Sequence, residues 1–214
     1  MKLFLQFGHL IVLFLIILLA VISLHHNGKF ERLFSKDTST DSVIDKVDYD
    51  KDGITDYQDI LDGAIKFISL MPKYKDEYYD GGYPSGPYYV SSDILWYSLQ
   101  NAGYDFKKLL EEDIKTSPDK YGNVKVNDSS FRKIYLIDTY LKRNVESLSK
   151  DKDFYPGDII VYKNDIAIIS TKKNKDGIYY ILHHDGKNNY EDDGLFREKI
   201  EGHYRWRLNK WKMR

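Results

Sequence analysis

The hydrophobic period changes halfway along the chain, and this change limits the possible folds more than any other feature of the sequence. Between residues 59 and 148, apolar residues recur every three or four positions, as on the buried face of a helix. Between 156 and 208, short β-branched and aromatic runs alternate with turn residues, as in antiparallel strands. Helices followed by an antiparallel meander predict an α+β domain.

The periodic segments predict four helices and four strands. The helices cover 59–71, 93 to about 103, 106–114 and 129–148. The first helix should stop before Pro72 and bury one apolar face, formed by Ile60, Leu61, Ala64, Ile65 and Ile68. The strands lie in the runs "PGDIIVYKND", "IAIISTKKN", "GIYYILHHDG" and "GHYRWRL".

An apolar segment precedes the domain. Residues 3–24 are apolar apart from four positions, and as a helix these 22 residues would extend about 33 Å, enough to cross a bilayer core. We therefore expect an uncleaved transmembrane anchor over residues 1–26, followed by a polar tether over 27–47. A cleaved signal peptide is the alternative. Basic residues on both sides of the segment leave its orientation open.

Composition excludes several classes of function. The chain has no cysteine, which rules out disulfides, zinc–cysteine sites and thiol catalysis. A net charge of −1 gives no overall field that would attract nucleic acid, so we expect no nucleic-acid partner. Its 19 tyrosines include a cluster that either lines a groove for a peptide or sugar or packs at the edge of the core: Tyr78, Tyr79, Tyr83, Tyr88 and Tyr89.

The segment 48–59, "DYDKDGITDYQD", has the spacing of a calcium-binding loop. The expected ligands are Asp48, Asp50, Asp52, Ile54 through its carbonyl, Asp56 and Asp59. Gly53 permits the sharp turn, while the short Asp59 stands where a bidentate Glu is usual. Such an ion would stiffen the junction rather than perform chemistry. The alternative is an acidic linker in which Thr55 and Gln58 cap the first helix.

Two serines stand where the second helix begins, in "GPYYVSSDILWYSLQNAGYD". Ser91 or Ser92 is well placed as a helix N-cap, and Asp93 suits the positive end of the helix dipole. A catalytic nucleophile at this position is the other interpretation. The sequence has no G-x-S-x-G elbow, so a hydrolase of that type is not supported.

Several segments in order resemble the bacterial domain-of-unknown-function family 1287. They are "DYDKDGITDYQDILDGA", "YYDGGYP", "VSSDILWYSLQNAGYDFKKLLEEDI", "FRKIYLIDTYLKR", "GDIIVYKNDIAIISTKKN", "ILHHDG", "EDDGL" and "GHYR". The resemblance covers nearly all of residues 48–207. It implies an NlpC-like, papain-fold cysteine amidase domain over 60–214, with N-terminal helices packed on a C-terminal antiparallel sheet.

The resemblance implies a mechanism whose key residues are replaced here. In the family, a Cys at the start of a helix attacks an amide carbonyl, and a His at the start of a facing strand is its base. These positions fall on Ser91 and Asp165. In the family, a third, polar position on the next strand orients the His, and it falls on His183 or His184 here. Because an aspartate with a reference pKa of about 3.9 is a weak base for a serine hydroxyl, we expect a degenerate site in which Ser91 caps the helix.

Other positions keep or change the family's pattern. Those that match are Trp96, Gly103, Gly157, Asp158, Gly202, His203, Tyr204 and Arg205. A run that resembles Asn-Ile-Asp-Phe-Arg-Arg in the family is Asp128 to Lys133 here, so two polar groups differ. The candidate binding residues are Asp93, Trp96, Tyr83, Tyr89, Arg132 and His203.

Three functions follow from these features. The first is a single-pass protein of the cell membrane, with an extracytoplasmic pseudoenzyme domain that binds a peptidoglycan fragment, a peptide or a protein partner without hydrolysis. The second is an active envelope hydrolase that uses Ser91 with His183 or His184. The third is an interaction or immunity-type protein. Calcium is the expected cofactor. Without H-x-H or H-E-x-x-H spacing, His183, His184 and His203 are interpreted as ordinary strand histidines rather than metal ligands.

Overall fold

A computed structural model describes residues 46–186 and 189–208, and for 189 and 190 only the backbone. The predicted anchor and most of the predicted tether lie outside the described residues. Within that part of the chain, no helix combines the length and the hydropathy needed to cross a bilayer.

Four α-helices are present in the described residues. They are α1 (Asp56–Ser69), α2 (Asp93–Asn101), α3 (Phe106–Thr116) and α4 (Ile134–Asn144). Two short 3₁₀ turns, Pro118–Tyr121 and Ser130–Arg132, precede α4. Capping explains where two of the helices begin. The Thr55 hydroxyl accepts the N–H of Gln58, and the Asp105 carboxylate accepts the N–H of Lys108.

The strands form two sheets. A short parallel pair joins β1 (Lys73–Tyr74) to β2 (Tyr88–Tyr89). The larger sheet contains β3 (Val145–Ser147), β4 (Ile159–Val161), β5 (Ile166–Lys173), β6 (Tyr179–His184), β7 (Asn189–Asp192) and β8 (Gly202–Leu208). Its order is β3-β8-β4-β5-β6-β7, and every neighbouring pair is antiparallel. The α+β class is confirmed. The simple meander is wrong, because β8 inserts between β3 and β4.

Two details of the predicted helices are also wrong. The helix expected over 129–148 is interrupted at Lys133, whose extended backbone (ψ 115°) separates a 3₁₀ turn from α4. Its last residues instead form β3, where Val145 pairs with β8. In α1, Ile65 is 46% exposed and Phe67 is fully buried, so the inward face lies closer to Phe67 than the apolar pattern indicates.

The main core lies between the helices and one face of the large sheet. Ile94, Leu95 and Leu99 of α2 share this core with Ile166 and Ile168 of β5. Alternate residues of the same strands face the other way into a smaller cluster that includes Ile160, Ala167, Ile169 and Ile181. Each fully buried aliphatic side chain contributes roughly 1.5–3 kcal/mol. Packing therefore holds the start of α2 beside the start of β5.

Candidate functional site

A cleft of about 540 Å³ opens where α2 begins. Its walls come from the β1 region, the residues before α2, the start of α4 and the β4–β5 turn. The lining residues are Tyr74, Asp76, Val90, Ser91, Ser92, Ser129, Arg132, Lys133, Ile134, Tyr135, Lys163 and Asn164. Exposed aromatic rings and both signs of charge therefore share one concave surface, as in many ligand sites.

The two serines at the start of α2 are buried and their hydroxyls point away from the helix end. Ser91 Oγ donates to the backbone carbonyl of Asn164 at 3.3 Å, and Ser92 Oγ donates to the carbonyl of Arg132 at 2.6 Å. Neither side chain caps the helix, so the predicted capping role of Ser91 is wrong. The Asp93 carboxylate takes the local backbone donor instead, accepting the N–H of Val90 at 2.7 Å.

Asp93 forms a buried ion pair with Arg132 beneath the cleft. The guanidinium donates through Nε and Nη2 to the two carboxylate oxygens, both at 2.7 Å, and through Nη1 to the Glu77 carbonyl at 3.0 Å. The indole N–H of Trp96 adds a further donor to Asp93 at 2.8 Å. Both charged side chains are at most 4% exposed. The pair fixes the start of α2 against the turn that precedes α4.

Asp165 and His183 meet on neighbouring strands. Asp165 immediately precedes β5, and His183 of β6 pairs in register with Ala167. The His183 Nδ1 atom lies 3.4 Å from Asp165 Oδ2, and both residues are buried. The structure thus brings together the two strand positions that the family resemblance implies. Their side chains are not among the residues that line the cleft, whereas the adjacent Asn164 is.

Arg197 fills the space around these two residues, and the sequence analysis missed it. Its guanidinium contacts Asp165 through Nη2 and lies 3.0 Å from His183 Nε2 and 3.1 Å from Asp185 Oδ2 through Nη1. Asp192 Oδ2 lies 3.1 Å from the same His183 nitrogen. Burial lowers the pKa of His183, but the neighbouring Asp165 and Asp192 carboxylates outweigh it, so that the pKa is raised above its ordinary value. Arg197 lies outside every predicted strand, in a turn-rich segment that gave no signal.

The two adjacent histidines have different surroundings. His183 faces Asp165, whereas the ring of His184 packs 5.5 Å from the Tyr74 ring and 6.2 Å from the Phe67 ring. Of the two candidates for the third family position, His183 is the one that contacts Asp165. The hydroxyl of Ser91 is directed at a peptide carbonyl rather than at an imidazole nitrogen.

The remaining candidate binding residues are spread over the domain. Tyr83 and Trp96 line a separate pocket of about 280 Å³, together with Gln100 and Asp105. Tyr89 is buried edge-on against Phe67 in the core. His203 is buried too, and its Nε2 lies 3.0 Å from Asp158 Oδ2. Of the candidate binding residues, only Arg132 lines the cleft. Asp93 itself does not, although the preceding Ser92 does.

Three of the predicted calcium ligands come together. One carboxylate oxygen from each of Asp48, Asp50 and Asp52 lies within 4.8 Å of the others. Asp56 is bonded elsewhere, to the Tyr49 N–H and the Tyr104 hydroxyl. Asp59 is 4% exposed, and burial followed by repulsion from nearby carboxylates raises its pKa to about 6.

The loop is seated closely on the end of α2. Gly103, which follows α2, has φ +78°, and a Cβ there would lie 2.7 Å from the Asp50 Cβ. Glycine is therefore required both for the backbone conformation and for the close approach of the loop.

Comparison with known proteins agrees with the family resemblance that the sequence segments indicated. The chain is 28% identical over 165 residues to the uncharacterized protein YijF of Escherichia coli (strain K12), an alignment that covers 69% of this chain and 80% of that protein. No solved structure matches the chain. Residues 61–206 match the domain of unknown function DUF1287. Because this match covers more than half of its length, the chain belongs to the DUF1287 family.

Proposed function

We propose that the chain is a membrane-anchored, extracytoplasmic pseudoenzyme of the NlpC-like cysteine amidase fold, which binds a cell-wall fragment, a peptide or a protein partner without cutting it. One observation carries the proposal. The Ser91 hydroxyl, at the nucleophile position, donates to the Asn164 backbone carbonyl, and Asp165, at the base position, is held by Arg197.

The chemistry of these groups supports an inert site. A serine attacks a carbonyl only when a base removes its proton, because its alkoxide is negligible at neutral pH. Asp165 accepts from the Ile166 N–H through Oδ1 and from Arg197 through Oδ2. Both carboxylate oxygens are thus directed at other donors rather than at the Ser91 hydroxyl, which donates to the Asn164 carbonyl. His183 is turned toward Asp192 and Arg197 rather than toward the serine.

The cleft supports a binding role. The rings of Tyr74 and Tyr135 are 50% and 57% exposed on its walls, where they offer flat apolar surface to a sugar or a peptide side chain. Lys133 and Lys163 add positive charge, and Asp76 adds a carboxylate. A peptide with free carboxylate and amine groups, such as a peptidoglycan stem peptide, fits this mixture of charges and rings.

The proposed location of the domain outside the cytoplasm rests on the sequence. The apolar run 3–24 has the length of a membrane span, and a cell-wall ligand requires the domain to be outside the cytoplasm. Fusing a reporter enzyme that is active only outside the cytoplasm after residue 47 tests the orientation. An inactive reporter there would contradict an extracytoplasmic domain.

Cosedimentation with purified peptidoglycan tests binding and cleavage together. We expect the detergent-solubilised chain to sediment with the polymer and to release no peptide or amine. Tyr135→Ala and Lys163→Ala each remove a side chain that lines the cleft. Each should weaken binding about fivefold or more, as truncation of contact residues does at other protein interfaces. Lys120→Ala, which changes an exposed lysine outside the cleft, is the matched control. Release of stem peptides that Ser91→Ala abolishes would establish the active hydrolase instead.

We also propose that the loop 48–59 binds Ca²⁺ and stiffens the start of the domain. The three clustered carboxylates support this, and so does the Gly53 N–H, which donates to Asp48 Oδ2 at 3.0 Å and holds the loop closed. An ion present at 100 times its dissociation constant would stabilise the fold by about 2.7 kcal/mol. Thermal unfolding in calcium and in EDTA measures this directly. Equal midpoints, or an unchanged calcium response in Asp50→Asn, would contradict the site.

A further inference from the structure

A basic and apolar stretch surrounds the end of α1. Residues 65–75 contain three lysines and no acidic residue, in a chain whose overall net charge is −1. Three apolar side chains of this stretch face solvent, since Ile65, Leu70 and Met71 are 46%, 49% and 70% exposed. They lie on the last two turns of α1 and the two residues that follow it, and we call them the α1 patch. Exposed apolar residues gathered in this way usually mark a contact surface.

Met71 has a strained backbone that its packing does not explain. Its φ is +51°, in the left-handed region where glycine is usual after a helix. It also precedes Pro72, and the residue before a proline favours an extended backbone with negative φ. The side chain is mostly exposed, so burial does not offset the strain. Strain of this kind is typical of functional positions, which favours an external contact for the Met71 side chain.

Positive charge flanks the α1 patch. Lys66, Lys73 and Lys75 are all exposed. The Lys66 Nζ atom donates to the neutral amide oxygen of Asn101 at 2.7 Å. In the ion pairs between described residues, Lys75 is the lysine of this stretch that takes part, 3.0 Å from Glu77. Apolar side chains flanked by lysines match a surface that is anionic at its headgroups and apolar beneath them, as a bilayer with acidic lipids is.

We propose that the α1 patch inserts among the headgroups of a bilayer that contains anionic lipids and holds the domain against the membrane surface. A second copy of the chain fits less well, because a two-fold contact would place the lysines of one patch against those of the other. The proposal rests on the proposed function only in that the expected anchor, 1–26, keeps a bilayer near the domain. Tyr74, three residues after Met71, lines the cleft, so docking would place one wall of the cleft at the membrane surface.

Fluorescence quenching by lipid tests the proposal. The chain has no cysteine, so one introduced thiol can be labelled selectively. Ser69→Cys places the thiol beside the patch without removing an apolar side chain, because the exposed Ser69 bonds only within α1, to the Lys66 carbonyl. The full chain, labelled there with an environment-sensitive fluorophore, is reconstituted into vesicles of phosphatidylcholine and phosphatidylglycerol. Spin-labelled lipid should quench this label more strongly than a label in Lys120→Cys, the exposed control position.

Two variants in the Ser69→Cys background separate the apolar and the electrostatic contributions. Met71→Gly removes the most exposed apolar side chain, and glycine accepts φ +51°, so the fold should be kept by circular dichroism while quenching falls to the level at position 120. Lys73→Gln should lower the ratio of docked to free domain about fivefold, the effect of one lysine near an anionic surface. Vesicles of phosphatidylcholine alone should likewise reduce quenching.

Two results would overturn membrane docking. The first is equal quenching at positions 69 and 120. The second is a blue-shifted emission at position 69 that spin-labelled lipid does not quench, which would show that a protein surface, such as a second copy, covers the patch. Flotation of the vesicles reports the anchor separately. If Met71→Gly floats but loses the quenching, both the anchor and the patch are supported, whereas flotation that Met71→Gly abolishes would support the patch and contradict the anchor.

Discussion

The buried pair between Arg132 and Asp93 should be one of the most expensive interactions to break in this domain. In Arg132→Met, the Asp93 carboxylate stays buried and loses two hydrogen bonds of 2.7 Å, while the Val90 N–H and the Trp96 indole remain as its donors. Both side chains are at most 4% exposed, so water does not replace the lost partner. Breaking a buried pair by removing one partner costs about 3–5 kcal/mol.

The cost arises from an uncompensated charge, and this makes a second, sharper prediction. Asp93→Asn removes the carboxylate charge and should also lower the free energy of unfolding by about 3–5 kcal/mol, because it leaves the Arg132 guanidinium buried without a negative partner. The double variant Arg132→Met/Asp93→Asn buries neither charge. Its loss of stability should therefore be smaller than the sum of the two single losses by at least about 2 kcal/mol, within the range of coupled neighbouring residues.

Urea unfolding of the four proteins measures these free energies. Lys120→Met is the control, because its partner Asp119 and the lysine are both more than half exposed, and such pairs contribute at most about 1 kcal/mol. If Arg132→Met costs no more than this control, or if the two single effects simply add, the buried-charge argument is wrong.

Two further predictions concern the backbone and the acidic loop. Gly82→Ala should cost about 2 kcal/mol or more, because φ is +83° and the new Cβ would lie 1.9 Å from the Asp128 carbonyl oxygen. Gly122→Ala, with φ +66° but open space around it, should cost less in the same urea experiment. Because the pKa of Asp59 is raised to about 6 in the fold, the folded state binds its proton more tightly, and without calcium the free energy of unfolding should increase as pH falls from 7 to 5. Asp59→Asn should reduce that increase, and an unchanged pH dependence in this variant would contradict the assignment.

The order of helices and strands could be predicted because each strong element has its own period and its own stop signals. α2 and α3 begin at the predicted residues, and the glycine after α2 has the left-handed conformation expected of a C-terminal cap. The short strands β3 and β7 escaped prediction. They are three and four residues long, and pairing with distant strands rather than local pattern makes them strands.

Of the predicted site residues, Ser91 and Arg132 line the cleft, and the sequence did not reveal the contacts that shape it. His183 contacts Asp165, and Ser91 bonds to the carbonyl of Asn164, the residue before Asp165. Helix capping by serine was wrong because Asp93 accepts the local backbone donor. Arg132 lies 39 residues from its carboxylate partner, and Arg197 lies 32 from Asp165. Ion pairs between residues so far apart leave no trace in spacing, so the sequence alone could not reveal them.

Reaction of Ser91 with a fluorophosphonate probe tests the inert site most directly, because the probe modifies only serines that a neighbouring base activates. Intact-mass and peptide mass spectrometry of the treated protein would report labelling at each serine. We predict that Ser91 reacts no faster than the partly exposed Ser149. Stoichiometric labelling of Ser91, lost in His183→Gln, would show that an imidazole activates the hydroxyl and would contradict the account.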